Sequence, residues 1–278
     1  MKAASLVLKA SSLPGPSGTV KSGRLLEAAG EGWGSVASVM WDAELAAVYD
    51  DVYAQQAEPS VVEPIAGILA ELAGGGAALE LAVGTGRIAL ALSARGVAVT
   101  GIELSPHMAG RLRAKPGADA VPVIVGDMTT TRAEGSFTLV YLVANSIMNV
   151  TTQEEQLAVF SNAAAHLGPG GRFVVAVIVP QPCAVPTGGK GRVFTLDPDH
   201  VGIETFDDPV GQIAWSHHWM EADGRLVRHS APYRYIWPSE LNLMARLAGL
   251  RLEHRWADWD RSPFTAQSAR HVSVYAKT

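Results

Sequence analysis

The feature that most constrains the fold is a regular alternation of short apolar segments with amphipathic ones between residues 77 and 179. Strands are predicted at 77–82, 97–102, 121–125, 137–143 and 172–179. Helices are predicted between them at 86–95, 105–115 and 152–167. The last two strands are nearly continuous apolar runs, which is typical of strands covered on both faces. The alternation therefore predicts a doubly wound, mostly parallel α/β sheet.

Different patterns precede and follow this unit. Helical spacing of apolar residues covers 39–55 and 60–73. After Pro180 a loop leads into extended segments over 192–237, and Asp223-Gly224 is a hairpin signal within them. A helix at 239–248 and two strands, 250–257 and 271–277, close the chain.

These patterns divide the chain into four parts. The Gly-, Ser- and Pro-rich residues at the start lack apolar periodicity and are expected to form a flexible extension. The predicted parts are the extension at 1–35, the α/β core with its N-terminal helices at 36–179, a β-rich insert at 180–237, and the last helix with a closing β-hairpin at 238–278.

Charge and cysteine content narrow the class of protein. The chain has 22 Lys and Arg against 27 Asp and Glu, a net charge of −5, and no basic run of the kind that grips a phosphate backbone. Its one cysteine, Cys183, cannot form an intramolecular disulfide, and no Cys/His spacing predicts a metal site. No apolar run reaches the ~18 residues of a membrane span. We expect a cytoplasmic protein without a nucleic-acid or membrane partner, and the sequence leaves a homodimer open.

The main chemical signal is a glycine turn where a buried strand runs into a helix. The segment from Leu79 to Gly86 reads LELAVGTG. Glycines allow a tight turn and close backbone approach, and the following helix N-terminus has partial positive charge. Such a turn suits a nucleotide-like ligand at the switch point of an α/β sheet.

Two acids at neighbouring strand ends strengthen this signal. Glu103 follows the glycines by about twenty residues, where a carboxylate accepts hydrogen bonds from ribose hydroxyls. Asp127, in Gly126-Asp127-Met128, ends the third strand and offers an acceptor for an adenine amino group, with Met128 against the ring. A ligand containing adenosine is therefore expected at these strand ends.

Four segments, ELAVGTGR, TGIELSPHM, VIVGDM and LGPGGRFVV, resemble in order and spacing the cofactor motifs of class I methyltransferases that use S-adenosylmethionine (SAM). The resemblance covers roughly 45–278 and is greatest to small-molecule methyltransferases of bacterial secondary metabolism, including amino-sugar N-methyltransferases. It implies a seven-stranded Rossmann-like sheet with a reversed last strand, SAM as cofactor, and a small-molecule acceptor methylated on nitrogen or oxygen.

The same resemblance assigns residues to the cofactor. A Tyr-Asp-x-x-Tyr element, here Tyr49 to Tyr53, is expected near the methionine end, and Ala82 replaces the family's usual glycine. The predicted cofactor residues are Tyr53, Glu80, Ala82, Gly84, Gly86, Arg87, Glu103, Leu104, Met108, Gly126, Asp127, Met128 and Val143.

Two other functions compete with methyl transfer. An NAD-dependent Rossmann oxidoreductase normally has three glycines in G-x-G-x-x-G, whereas this chain has Ala89 at the third position. A catalytically silent SAM-binding protein stays open on sequence alone.

The acceptor is expected to lie under the β-rich insert, which acts as a lid. In a strand, alternate residues share a face, so His217 lies with Trp215 and Trp219 while His218 lies on the other side. We predict that one of the two histidines orients the acceptor or takes its proton. His218 is favoured because the tryptophan face is expected to pack on the sheet. Asn145, just after the fourth strand, is the third candidate catalytic residue.

Overall fold

The computed structural model describes residues 41–181, 191–222 and 225–278. The predicted extension at 1–35, most of the loop at 180–191 and the turn at Asp223-Gly224 lie outside the described residues.

Six α-helices are described: α1 (Ala43–Val52), α2 (Pro59–Ala73), α3 (Arg87–Ala94), α4 (Pro106–Arg113), α5 (Gln153–His166) and α6 (Pro238–Leu247). Short 3-10 helices occupy Ala54–Ala57, Ala118–Ala120 and Ser146–Asn149. The core strands are β1 (Ala78–Leu81), β2 (Val99–Glu103), β3 (Val123–Val125), β4 (Phe137–Leu142), β5 (Leu167–Ile178), β10 (Leu250–Trp256) and β11 (Arg270–Lys277). The insert strands are β6 (Gly191–Leu196), β7 (His200–Asp208), β8 (Ile213–Ala222) and β9 (Arg225–Arg234).

The core strands form one seven-stranded sheet in the order β10-β11-β5-β4-β1-β2-β3. Strands β1 to β5 pair in parallel, and β11 runs antiparallel to both of its neighbours. The predicted doubly wound sheet with a reversed last strand is confirmed. Because the order turns back between β1 and β4, the carboxyl ends of these two strands border a crevice, the usual ligand site of such sheets.

Helices cover both faces of this sheet and bury two apolar layers. On one face, Leu69 of α2 and Leu92 of α3 are fully buried against β1 and β4. On the other face, Phe160 of α5 packs edge-on against Phe173 of β5, with ring centroids 5.1 Å apart. Fully burying one such side chain stabilises the fold by about 1.5–3 kcal/mol, so the two layers hold the strand ends rigidly in place.

The chain between α5 and β5 differs from the prediction. The predicted helix at 152–167 and strand at 172–179 leave 168–171 as a connection, but β5 already begins at Leu167. The pairing with β4 passes from Phe137–Leu167 to Leu139–Arg172, so a bulge absorbs the extra residues. At its other end α5 begins as expected, because the Thr152 hydroxyl accepts from the Glu155 backbone N–H at 3.1 Å.

The insert forms a separate four-stranded antiparallel sheet in the order β6-β7-β8-β9. Ala222 pairs with Arg225 and Ile213 with Arg234 without a register shift, so β8 and β9 form a regular antiparallel pair. The sheet meets the core through β8, which contacts α1, and β9, which contacts the 3-10 helix after β4. It therefore flanks the carboxyl ends of the central strands.

Within residues 41–181, 191–222 and 225–278, no helix is long and apolar enough to span a bilayer, and no group of three His, Cys, Asp or Glu side chains has metal-site geometry.

Candidate active site

The glycine turn between β1 and α3 has three residues in the left-handed region. The φ angles are +53° at Ala82, +57° at Gly84 and +83° at Gly86. A Cβ at Gly86 would lie 2.6 Å from the side chain of Leu112, so glycine is required there for packing as well as for conformation. At Gly84 the nearest neighbour of such a Cβ would be Met108 at 3.9 Å. The turn is thus closely packed at Gly86 and open at Gly84, where a ligand can approach the backbone.

Glu103, at the end of β2, is bound to this turn. One carboxylate oxygen accepts from the Gly84 backbone N–H at 2.8 Å, and the other accepts from the Ser105 backbone N–H at 2.8 Å. Burial raises the pKa of Glu103, and these amide bonds oppose that rise. A carboxylate oxygen accepts more than one hydrogen bond. Both oxygens therefore keep capacity for a pair of ribose hydroxyls.

Asp127, predicted to face the adenine of the cofactor, follows β3. The Asp127 Oδ1 atom accepts from both the backbone N–H and the hydroxyl of Thr129 at 2.7 Å, and no hydrogen bond from the described residues reaches Oδ2. Met108 and Met128 are buried nearby in the core, and Leu104 is half-buried. The Asp127 Oδ2 atom can accept a hydrogen bond from the edge of a purine. The apolar side chains can pack against the face of its ring. At Gly126 a Cβ would overlap the Thr131 side chain, so this strand end is closely packed.

Glu80 lies in the middle of β1 and is buried. Its partner is Tyr141, directly opposite on β4, whose hydroxyl donates to the Glu80 carboxyl at 2.9 Å. Burial raises the pKa of Glu80 to about 8, although the tyrosine hydrogen bond and the positive charge of Arg87 lower it. Sequence reasoning found Glu80 and missed Tyr141, because strand pairing across the crossover is not a local signal.

Helix α1 brings the tyrosines of the Tyr-Asp-x-x-Tyr element to the glycine turn. The rings of Tyr49 and Tyr53 lie 4.7 Å apart, and burial followed by the neighbouring Tyr53 raises the pKa of Tyr49 to about 12. Together with Thr85 and Arg87 they line a cavity of about 130 Å³. Tyr53 and Arg87 are thus brought together beside the turn, where the methionine end of the cofactor is expected.

The chain after β4 is strained at two positions. Val143 is buried, and Ala144 and Asn145 follow with φ angles of +55° and +66°. The Asn145 side-chain oxygen accepts from the Ile178 backbone N–H at 2.9 Å. Asn145 therefore fastens the end of β4 to the end of β5 in this structure, and the strained backbone lies where strain often accompanies function.

The two insert histidines have separate surroundings. The Nδ1 atom of His218 forms a hydrogen bond with His200 Nε2 at 2.9 Å. Its Nε2 atom forms another with the Ser216 hydroxyl at 2.7 Å. Burial and the neighbouring His200 lower the pKa of His218 to about 4. His217 bonds the Ser230 hydroxyl at 2.9 Å and lies 6.3 Å from the rings of Trp215 and Trp219.

Of these two histidines, His218 is on the side of the insert that faces α1. Its direct partner on β9 is His229, whose ring lies 6.2 Å from Trp41 at the start of α1. On the same face, Met220 lines a cavity of about 250 Å³ together with Val48. We call this side the inner face of the insert: Ala214, Ser216, His218 and Met220 of β8 with His200, Gly202 and Glu204 of β7 and His229 of β9.

The sequence analysis favoured His218 because it expected the face with Trp215 and Trp219 to pack on the core sheet, and this expectation is wrong. The tryptophan face does not pack on the sheet, because Trp215 and Trp219 are half-exposed while Ala214 of the inner face is buried in the core. Sequence reasoning also missed His200 and His229. The hairpin at 223–224 contained the signal for His229, since a two-residue turn there pairs residue 218 with residue 229.

The strand order and the reversed last strand define the fold of class I SAM-dependent methyltransferases. Residues 78–171 match the methyltransferase domain family model. The CcbJ methyltransferase of Streptomyces caelestis has a similar structure, with 34% identity and a TM-score of 0.74 over 84% of this chain and 96% of that one. The chain belongs to the SAM-dependent methyltransferase family, and its cofactor is SAM. The NAD-dependent alternative is wrong.

Other relatives lie among the enzymes of natural-product biosynthesis. The cypemycin N-terminal methyltransferase of a Streptomyces species is 27% identical over 237 residues, covering 82% of this chain and 96% of that protein. SAM-bound CalS10, an amino pentose methyltransferase from Micromonospora echinaspora, is 20% identical with a TM-score of 0.61, over 83% of this chain and 97% of that one. The latter likeness shows the shared fold alone.

Proposed function

We propose that the protein transfers the methyl group of SAM to an amine nitrogen of a small molecule in natural-product biosynthesis. SAM supplies a methyl group that is already activated. The protein's own task is therefore to hold the cofactor, place the acceptor behind the methyl group and exclude water. Glu103 and Asp127 are proposed to hold the adenosine part, and α1 with the inner face of the insert to cover the reacting end.

The observation that supports nitrogen over oxygen is the lowered pKa of two paired histidines on the inner face, His218 and His229. Burial and the neighbouring His200 lower the pKa of His218 to about 4, and burial also lowers the pKa of His229. A histidine with so low a pKa is a weak base and gives little help in deprotonating an alcohol. A neutral amine has a free lone pair and needs only to be oriented, which an uncharged ring nitrogen does by accepting its N–H.

Charge near these histidines supports the same acceptor. The cavity beside Met220 is also lined by Asp51, Asp199 and Glu221. Three carboxylates attract a protonated amine during approach, and this attraction weakens with salt. The amine releases its proton to solvent water before it binds, so that the neutral form with its free lone pair is the one that reacts. The named activity of the cypemycin N-terminal relative, methylation at an amino terminus, is consistent with an amine acceptor.

The test is methyl transfer from isotope-labelled SAM to matched acceptors. The panel contains a primary amino sugar, a cyclic secondary amine and a short peptide with a free amino terminus, each beside the analogue with hydroxyl in place of amine. We expect labelled product only from amines. Labelling of the hydroxyl analogues alone would overturn the nitrogen assignment, and SAM binding without transfer to either set would favour a catalytically silent protein.

A further inference from the structure

Helix α1 is joined to the loops of the cofactor site at three points. Before the helix, the Trp41 carbonyl accepts from the Ser105 hydroxyl at 2.6 Å, just after β2. After the helix, the Gln56 carbonyl accepts from Arg87 at 2.7 Å, at the start of α3. The third point lies within the helix at Asp50. All three partners border the crevice in which the cofactor is expected, so α1 lies across that crevice.

The contacts at Asp50 join three elements. Its Oδ1 atom accepts from the Thr85 hydroxyl at 2.6 Å and from the Lys115 ammonium at 2.9 Å. The same ammonium group donates to the Thr85 carbonyl at 2.9 Å, which closes a small ring of polar contacts. Arg111 adds a more distant charge, 3.8 Å from Asp50 Oδ2. The Asp50 carboxylate thus ties α1 to the glycine turn and to the region after α4.

The hydrogen bonds of Asp50 hold residues on both sides of the cofactor crevice. Thr85 is buried and lies between Gly84 and Gly86, so holding its hydroxyl and its carbonyl holds the turn. The neighbouring Gly84 backbone N–H is in turn bonded to Glu103. On the helix, Asp50 is flanked by Tyr49 and lies one turn before Tyr53, whose rings line the cavity beside Arg87.

We propose that Asp50 is a positioning residue for SAM: with Lys115 it clamps α1 to the Gly84–Gly86 turn and so sets Tyr49 and Tyr53 over the bound cofactor. Asp50 does this without touching the cofactor. Since the same contact must be lost when α1 moves away, it also limits how fast the cofactor leaves.

The test compares Asp50→Asn with the parent in the full-length protein. Loss of a charge-assisted tie should weaken SAM binding by calorimetry about tenfold and speed its dissociation. In the cofactor-free protein, amide hydrogen exchange of residues 43–52 should be faster. The midpoint of urea unfolding should stay close to that of the parent, because the Asp50–Lys115 pair is only half-buried and an asparagine side-chain oxygen still accepts from the Thr85 hydroxyl.

The matched control is Glu63→Gln, which breaks the ion pair of Glu63 with Arg95 that likewise joins two helices but lies away from the turn. This variant should bind SAM as the parent does. A cycle with Lys115→Met completes the test: Lys115→Met should cost less in the Asp50→Asn background than in the parent, because only its bond to the Thr85 carbonyl is left to lose there. Unchanged SAM affinity in Asp50→Asn, or independent additive effects of the two substitutions, would overturn the proposal.

Discussion

The hydroxyl of Tyr141 donates a 2.9 Å hydrogen bond to Glu80 across the β1–β4 pair, and both side chains are buried in the centre of the sheet. Burial raises the pKa of Glu80 to about 8, so the carboxyl is largely protonated at neutral pH in the cofactor-free protein. If the cationic cofactor favours the ionised form, SAM binding must release a proton. We expect SAM affinity to rise between pH 6 and pH 9, as measured by calorimetry.

The Glu80→Gln variant is the control for this linkage. It cannot ionise, so its SAM affinity should vary less with pH. A raised pKa also means that the native state binds more protons than the unfolded state between the ordinary value of 4.5 and about 8. Stability contributed by this group is present at low pH and is lost as pH rises through that window. Glu80→Gln should therefore stabilise the cofactor-free protein more at pH 8 than at pH 5; equal effects at both would contradict the assignment.

Glu103→Ala is expected to weaken SAM binding by about ten- to a hundredfold, since a charge-assisted hydrogen bond to the ribose contributes roughly 1.5–3 kcal/mol. The structure adds a cost in stability. The substitution also leaves the backbone N–H groups of Gly84 and Ser105 without their acceptor. Unfolding by urea should therefore shift as well. Asp119→Ala, an exposed acid, is the control and should change neither quantity.

Ala82→Gly is expected to stabilise the protein. Ala82 has a φ of +53°, a conformation that costs a residue with a Cβ about 1 kcal/mol and costs glycine little. The gain should be about 1 kcal/mol or less, because glycine also makes the unfolded chain more flexible. Thermal unfolding with and without SAM measures it. A lower melting temperature would show that the Ala82 methyl group has a packing role that outweighs the strain.

Once an acceptor is known, His218→Ala should lower turnover at saturating SAM while leaving SAM affinity unchanged. His217→Ala should have a smaller effect, because His217 lies on the face away from α1, beside Trp215 and Trp219. General-base help from a histidine amounts to about two to four orders of magnitude, and an orienting role to less. Parental turnover in both variants would show that neither histidine acts on the acceptor.

Acid should destabilise the insert. Burial, followed by His200, lowers the pKa of His218 to about 4 from its ordinary 6.5, so the folded state favours the neutral ring. The stability this group contributes is present above pH 6.5 and is lost as pH falls from 6.5 towards 4. His218→Gln should lose less stability over that interval than the parent in urea unfolding. A parallel loss in both would mean that other groups govern the acid response.

Local sequence patterns predicted most of the core. The spacing of apolar residues located α2, α3, α5 and the central strands to within a few residues, because periodicity and capping are properties of neighbouring residues. The glycine turn, Glu103 and Asp127 were found for the same reason, since each stands at the end of a recognisable strand. The start of β5 was missed because a bulge is decided by pairing with β4.

The sequence by itself determined the α/β class and, through its resemblance, the reversed last strand. It also predicted the SAM-binding side chains at three strand ends. Tertiary structure alone decided the partners: Tyr141 for Glu80, 61 residues away, Lys115 for Asp50, 65 residues away, and His200 and His229 for His218. It also decided which face of the insert looks towards α1. These relationships depend on the crossover order of the strands and on the packing of the insert sheet against a helix. Neither produces a periodic pattern of residues in the sequence.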